Sequence, residues 1–236
     1  EWAIRDTTFE MPSGVPMIDV HAVGAGGGSI AQIDNAGALK VGPESAGANP
    51  GPAAYGLGNE NPVVTDANLV LGRINPHYVL GGRLKIDAEL SKKAVKKKIA
   101  DSMGIGTEEA ALGIVKVVNS NMARAIRVIT VEKGHNPSDF TLVAYGGAGP
   151  LHAVHLAQEM GIRTVLIPPA PGALCALGLL TADIKKSYVR TAIASYDEMT
   201  PEQINAVMSS LRDEGSAWLD SEKVPSATSD RITSFR

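Results

Sequence analysis

A carboxylate and an imidazole stand two positions apart, at Asp19 and His21, directly before a run of glycines. Residues 17–24 alternate polar and apolar side chains with a period of two, which predicts a strand. Side chains two positions apart on a strand share a face, so Asp19 and His21 would point the same way. As catalytic residues, such a pair could orient a metal-bound water or a substrate oxygen. A hydrogen-bonded pair that secures the loop explains the same spacing equally well.

The glycines lead from this strand into a second alternating segment, residues 29–34, and then into a third strand around 38–41. This pattern predicts a three-stranded meander with a glycine loop at its first turn. Successive backbone N–H groups in such a loop form a concave site for an anion, such as the end of a polyphosphate. The residues assigned to this first glycine loop are Gly24, Gly26, Gly27, Gly28 and Ser29.

A second glycine loop joins a predicted strand, residues 140–145, to a predicted helix, residues 150–160. Its residues are Gly146, Gly147, Ala148, Gly149 and Pro150. A loop of this kind can lie flat against a planar group such as adenine, with the helix N-terminus directed at phosphate. A further apolar strand at 164–168 completes a strand–helix–strand unit of a parallel sheet.

Neither glycine loop fits a common nucleotide motif. The chain contains no G-x-x-x-x-G-K-[ST] sequence, and in a G-x-G-x-x-G alignment Ser29 and His152 occupy the third glycine positions. A tight turn explains either loop alone. Two such loops in this order are typical of the second half of an actin-like or sugar-kinase-like ATPase.

The remaining chemical side chains favour structural roles. Asn121, Arg124 and Arg127 lie about one turn apart on a predicted helix that starts at Thr107, where a surface or interdomain ion pair is favoured over phosphate binding. His152 and His155 have no evident third ligand, so structural histidines are favoured over a metal site. Asp66 is predicted to be an N-cap. Cys175 is predicted to be a buried structural thiol.

Composition excludes several classes of protein. The net charge of −3 over 236 residues gives no general attraction to nucleic acid or to an anionic membrane. A single cysteine excludes an internal disulfide and agrees with the reducing cytoplasm. Prolines interrupt the longest apolar run, which is too short to cross a membrane. We therefore expect a cytoplasmic α/β protein, with antiparallel strands early and parallel strands late.

The sequence also predicts how the chain is divided. Residues 1–16 are expected to be the end of a preceding segment, and 17–195 a nucleotide-binding domain. Residues 196–236 are expected to hold a helix, capped by Thr200 and Gln203, and a polar tail. Because an apolar stripe on that helix needs a partner, the chain resembles a piece of a larger protein, cut at both ends.

Six segments carry a family resemblance: PMIDVHAVGAGGGSIA, VGPESAGANPGPAAYG, VTDANLVLGR, SNMARAIR, GHNPSDFTLVAYGGAGPLHA and IPPAPGALCALGLLTAD. They span roughly residues 15–190 in order, and the chain is identified by them as a member of the hydantoinase A/5-oxoprolinase family. The resemblance implies an actin-like ATPase fold, ribonuclease H-like, with a mixed sheet and flanking helices.

The resemblance further implies a reaction in which ATP and Mg²⁺ activate a carbonyl oxygen by phosphoryl transfer, before a cyclic amide ring opens. The expected partners are a cyclic amide or ketone, an N-terminal half with an Asp-x-Gly-Gly-Thr motif, and a hydantoinase B-type subunit or domain. Without that N-terminal half, the isolated chain is expected to be inactive. The alternatives are a ketone carboxylase subunit, a sugar- or acetate-kinase-like phosphotransferase, and a non-catalytic interaction module.

Overall fold

The computed structural model of the chain describes residues 3–6, 11–17, 20–191 and 200–222. The strands are β1 (Ala3–Asp6), β2 (Met11–Met17), β3 (Ser29–Ile33), β4 (Leu39–Ser45), β5 (Thr141–Val143) and β6 (Thr164–Leu166). The helices are α1 (Val64–Val70), α2 (Ala88–Val95), α3 (Asp101–Met103), α4 (Thr107–Ile129), α5 (Gly149–Met160), α6 (Leu174–Thr181) and α7 (Pro201–Ser221). Early strand pairs are antiparallel and the late pair is parallel, which is the predicted α/β arrangement.

Strands β3 and β4 form an antiparallel hairpin whose turn is closed by Asp34. Its Oδ1 accepts hydrogen bonds from the N–H groups of Ala36 and Ala38, both at 2.9 Å. Ala31 pairs with Val41 across the hairpin, and both are buried. The apolar positions of the alternating pattern therefore face the core, as period-two side chains do.

The predicted first strand of a meander is wrong over residues 20–24, which are irregular. The edge of β3 that such a strand would need is already occupied. Ala31 donates its N–H to the carbonyl of Pro62 at 2.8 Å, and Ile30 bridges to Val63. Because one edge of a strand pairs with one partner, the hairpin has no room for residues 20–24 on that side.

A lysine-rich helical segment consists of α2 and α3, joined by a π-helical turn at Lys96–Ala100. Its lysines face solvent, where Lys92 pairs with Glu89 at 2.7 Å and Lys97 pairs with Glu60 at 3.0 Å. Exposed pairs of this kind add little stability. These lysines form a solvated face.

The strand–helix–strand unit is also confirmed. Strands β5 and β6 pair in parallel, and α5 connects them. Gly161 ends α5 with a positive φ of 70°, the left-handed conformation that glycine adopts most easily.

Helix α4 packs against the β3–β4 hairpin with α1 and α2, and also against α5 of the strand–helix–strand unit. Its first half joins α1, α2 and the β3–β4 hairpin in one apolar cluster: Ala31, Val41, Val64, Ala67, Val95, Ile99, Ala100, Ala110, Ala111, Ile114, Val115 and Val118. Its second half joins α5 in another: Ala123, Leu156, Ala157, Met160 and Ile162. Since one helix contributes to both clusters, it fixes the hairpin and the strand–helix–strand unit in one frame.

The chain divides into two compact units, Glu1–Leu179 and Leu180–Arg236. In the second unit, α7 begins with the predicted capping box between Thr200 and Gln203. Lys186 lies 5.2 Å from the ring centre of Tyr188 and 5.3 Å from that of Trp218. The predicted domain boundaries stay a prediction.

Cys175 is exposed on α6, so its predicted burial is wrong. No residue of α6 is buried, because no described element covers this short apolar helix. In the described part of the chain, no helix is both long and apolar enough to span a bilayer.

Candidate functional site

The buried side chain of Ser29 closes the first glycine loop. Its backbone N–H donates to the carbonyl of Gly26 at 3.1 Å. Its Oγ accepts from the N–H of Gly26 at 2.9 Å and donates to the carbonyl of Gly24 at 3.4 Å. Ser29 therefore shapes the loop from within, and the N–H of Gly26 is already bonded.

Neighbouring segments hold the carbonyls of Gly27 and Gly28. The carbonyl of Gly27 accepts both the N–H and the Oγ1–H of Thr65, each at 2.9 Å. The carbonyl of Gly28 accepts the N–H of Ala46 at 2.9 Å. In a trans peptide the following N–H points the opposite way, so the N–H of Gly28 points away from Thr65. Among the described residues, neither Gly27 nor Gly28 has an acceptor for its N–H.

Close packing requires glycine at some positions of the first loop but not at all of them. A β-carbon on Gly24 would lie 2.6 Å from that of Pro43, and one on Gly28 would lie 2.7 Å from Ser45 Oγ. A β-carbon on Gly26 would meet nothing within 4 Å. Gly26 therefore marks the open side of the loop, where a ligand can approach.

The second glycine loop, Gly146–Pro150, runs from the end of β5 into the first turn of α5, as predicted. Gly146 has a φ of 80° and donates its N–H to the carbonyl of Pro171 at 2.8 Å. β-Carbons on Gly147 and Gly149 would meet no atom within 4 Å. This loop is thus anchored at its start and open along its length.

The fold brings the two glycine loops together. A β-carbon on Gly27 would lie 3.4 Å from the β-carbon of Ala148, which is ordinary contact distance. The N–H groups of Gly27 and Gly28, which have no acceptor among the described residues, therefore belong to one region of the surface with the open glycines of the second loop. Such a region can hold a ligand with an anionic end and a planar end.

His21 lines a cleft of about 500 Å³ between the hairpin and α4, and Gly24 of the first glycine loop lines the same cleft. Asn121 and Arg124 of α4 also line the cleft. Asp19 lies outside the described residues. Because residues 20–24 are not a strand, the argument that placed Asp19 and His21 on one strand face does not apply to the described part.

Asp66 occupies the third position of α1, so its prediction as N-cap is wrong; Val63 is the N-cap. The carboxylate is fully buried and accepts four hydrogen bonds. Three come from the N–H groups of Ala53, Ala54 and Val63, each at 3.0 Å, and one from Ser91 Oγ at 2.6 Å. The four donors compensate for its burial, and the side chain ties three segments together.

The histidine pair of α5 is separated by burial. His152 is fully buried, with Nδ1 at 2.7 Å from Asn119 Oδ1, whereas His155 is exposed. Burial lowers the pKa of His152, and the charges of Arg73 and His155 lower it further. A structural role for His152 agrees with the prediction. In the part of the chain that the structure describes, no three His, Cys, Asp or Glu side chains form a potential metal site.

The polar residues of α4 lie in different surroundings. Arg127 pairs with Glu159 of α5 at 3.1 Å, the surface ion pair that the sequence favoured. Asn121 donates its Nδ2–H to the carbonyl of Val41 at 3.2 Å, and Arg124 faces the cleft.

Sequence reasoning missed Thr65 and Asn119. Thr65 binds the first loop across a long stretch of chain, which no local pattern indicates. Asn119 carries a signal, because it follows buried Val115 by four positions on an apolar face of α4. A polar side chain at such a position usually has a buried partner.

Comparison with known proteins gives consistent matches. The sequence model of the Hydantoinase/oxoprolinase family matches residues 1–188. Caprolactamase subunit alpha of Pseudomonas jessenii is 45% identical over 86% of this chain and 29% of that protein. The crystal structure of ATP-dependent caprolactamase from the same organism has a TM-score of 0.70 at 39% identity, covering 92% of this chain and 32% of that one.

The nucleotide-free structure of acetone carboxylase also has a TM-score of 0.70, at 34% identity, covering 78% of this chain and 26% of that one. The predicted fold class is confirmed by both structures. The chain spans about a third or less of the length of the proteins it matches.

Proposed function

This chain belongs to the hydantoinase/oxoprolinase family, and from that premise we propose that it is the nucleotide-binding half of an ATP-dependent cyclic-amide hydrolase. The enzyme would transfer a phosphoryl group from ATP to a carbonyl oxygen before the ring opens. The ATP dependence of the related caprolactamase supports this proposal.

The closeness of Gly27 and Ala148 carries the proposal. It brings the first glycine loop, with two amides that have no acceptor among the described residues, beside a loop that opens a helix. We assign the phosphates of ATP to Gly24, Gly26, Gly27, Gly28 and Ser29. We assign the adenosine to Gly146, Gly147, Ala148, Gly149 and Pro150. Ser29 acts here mainly by holding the phosphate loop in shape.

The chemistry explains the need for ATP. An amide carbonyl is a poor electrophile, but its oxygen can attack the γ-phosphorus of ATP while the bond to the ADP oxygen breaks. Water then adds to the activated carbon, and the ring C–N bond breaks with the nitrogen gaining protons. The acyl phosphate that remains reacts with a second water, which yields a carboxylate and inorganic phosphate.

Transfer of a phosphoryl group depends mainly on position and charge neutralisation. The amides of Gly27 and Gly28 would neutralise phosphate oxygens at the first loop. Asp19 and His21 stay candidates for orienting the substrate oxygen or the attacking water. Mg²⁺ would supply further neutralisation; bound through ATP, it keeps most of its waters and needs few protein ligands. A cation that needs few protein ligands is compatible with the described residues, which form no group of three or more His, Cys, Asp or Glu side chains.

A two-part site follows from the same proposal. We infer that a complementary domain supplies the opposite phosphate loop, and that a hydantoinase B-type subunit or domain completes the enzyme. The related caprolactamase and acetone carboxylase proteins carry subunit names. The full substrate site would form only when these parts assemble.

A ketone carboxylase subunit is the second candidate, because the likeness to acetone carboxylase has the same TM-score. Activation of a ketone oxygen would use the same nucleotide site.

The decisive experiment measures phosphate release by the full-length protein with its partner, ATP and Mg²⁺. The hydrolase proposal expects release that depends on caprolactam, 5-oxoproline or a hydantoin. Release that depends on acetone plus bicarbonate supports the carboxylase instead. A phosphorylated substrate that accumulates without phosphate release contradicts both.

A further inference from the structure

His152 lies two positions beyond the second glycine loop, and its two ring nitrogens have different surroundings. Nδ1 lies 2.7 Å from Asn119 Oδ1. Nε2 is buried and has no hydrogen-bond partner among the described residues. The side chain is fully buried, so water does not reach it from the surface.

This arrangement fixes the protonation of the ring. An amide oxygen accepts hydrogen bonds and cannot donate, so a bond to Asn119 Oδ1 assigns the imidazole proton to Nδ1. Nε2 then carries an unshared lone pair. Burial, with the charges of Arg73 and His155, disfavours a second proton. His152 is therefore a neutral donor toward α4.

The contact lies near the start of α5, ahead of the residues that pack in the second apolar cluster. Helices α4 and α5 run in the same direction, because Asn119 meets His152 and Arg127 meets Glu159 two turns later. The later turns of α5 pack in the second apolar cluster. At its first turn, the N-cap residue Ala148 makes no side-chain cap.

Packing alone does not explain an imidazole at this position. A leucine would fill a similar volume without leaving Nε2 buried and unpaired, which is unfavourable. The directed bond to Asn119 is the property that leucine lacks. The loop is thus held at both ends, by Gly146 on Pro171 and by His152 on Asn119.

We propose that His152 is a positioning residue for the second glycine loop: its neutral Nδ1–H imidazole, bonded to Asn119, orients Gly146–Pro150 beside Gly27. The consequence for nucleotide affinity rests on the proposed function. The protonation state of His152 and its coupling to Asn119 do not depend on that function.

The first test compares three variants of the full-length protein for AMP and ATP affinity. His152→Leu removes the donor and is expected to weaken both nucleotides by about tenfold, the equivalent of one buried hydrogen bond. His152→Asn keeps an N–H near the position of Nδ1 and is expected to restore most of that affinity. His155→Leu, at the exposed neighbour, is the matched control and should change neither.

The stability of each variant shows whether a loss of nucleotide affinity comes from a misplaced loop or from a protein that no longer folds. Free energies of unfolding in urea are measured for the same variants. Equal nucleotide affinity in wild type and folded His152→Leu overturns the proposal, as does loss of affinity in His152→Asn equal to that in His152→Leu.

The second test needs no variant and no nucleotide. Proton–nitrogen NMR of the His152 ring is expected to place the proton on Nδ1 near pH 7, and a proton on Nε2 overturns the proposal. In a double-mutant cycle, the changes in the free energy of unfolding caused by Asn119→Leu and His152→Leu are expected to be non-additive. If wild type binds no nucleotide while NMR and the cycle agree with expectation, the proposed function fails and the coupling stands.

Discussion

Gly27 and Ala148 lie close together although their loops are far apart in the sequence. A β-carbon on Gly27 would lie 3.4 Å from that of Ala148 and 2.9 Å from Thr65 Oγ1. Gly27 is therefore packed on two sides, whereas Gly26 faces open space. This difference between neighbouring glycines lets binding be tested separately from folding.

We predict that Gly26→Val weakens ATP binding at least tenfold, because its side chain would enter the open side of the phosphate loop. The free energy of unfolding should change by less than about 1 kcal/mol, as at surface sites without special contacts. Calorimetric titration and urea unfolding measure the two quantities. The control is Gly27→Val, which should itself destabilise the fold by about 1–3 kcal/mol through overpacking. Unchanged ATP affinity in Gly26→Val would remove the phosphate assignment.

A bulky residue at Gly147 is predicted to weaken AMP and ATP equally. Gly147 has no neighbouring atom within 4 Å of an added β-carbon, so Gly147→Leu leaves the fold intact and fills the space assigned to adenosine. Both nucleotides carry adenosine, so their affinities should fall by the same factor in parallel titrations. If only ATP binding weakens, this loop contacts the terminal phosphates instead.

Stability is predicted to fall as the pH drops below about 6.5, the ordinary pKa of histidine. The pKa of folded His152 lies lower, because burial and the nearby Arg73 and His155 charges disfavour the cation. Between those two values the unfolded chain binds a proton that the folded chain does not, so unfolding becomes more favourable. Above about pH 6.5 this contribution is complete.

Urea unfolding from pH 7.5 to 5 measures this dependence, with His152→Asn as a control that cannot titrate at this position. Wild type should lose stability relative to the variant as the pH falls. Parallel pH profiles would show that His152 titrates normally in the fold.

Asp66→Asn is predicted to destabilise the fold by about 3 kcal/mol or more, through loss of charged hydrogen bonds and a mispaired donor. Each carboxylate oxygen accepts at least one backbone N–H. In either orientation, the asparagine amide would direct its own N–H groups at one of those donors. Chemical denaturation measures the loss. Ser91→Ala, which removes only the hydroxyl donor, should cost about 1 kcal/mol; equal losses for the two variants would contradict the central role of Asp66.

The 236-residue chain alone is predicted to fold but not to turn over ATP at ordinary enzyme rates, about 1 per second or faster. Phosphoryl transfer needs water excluded around the phosphate, and half of a cleft leaves it exposed. Phosphate release by the purified chain with ATP, Mg²⁺ and a cyclic amide tests this. Substrate-dependent turnover at such rates would mean that the site is complete within this chain.

Elements defined by local signals could be predicted from the sequence. Helix α4 starts at Thr107 with two glutamates in its first turn, and α7 starts with a capping box. The second glycine loop lies between β5 and α5, where glycine and proline mark the change of element.

Features set by distant contacts could not be predicted. The strand expected over 17–24 fails at residues 20–24, because residues 62 and 63 occupy the edge of β3. The donors to Asp66 come from three separate segments, and no period or motif links them. Likewise, the bond of His152 to Asn119 depends on how α4 and α5 pack.

The length and continuity of helix α4 affect how the proposed nucleotide site can move. At 1.5 Å per residue its 23 residues form a rod about 34 Å long, shared by both apolar clusters. The hairpin that follows the first glycine loop and the helix that carries the second glycine loop both pack against this rod. The two loops are therefore expected to move as one rigid body while nucleotide enters and leaves. Opening and closing would then occur by a hinge between this body and the complementary domain, which a distance label on each side would report as nucleotide is added.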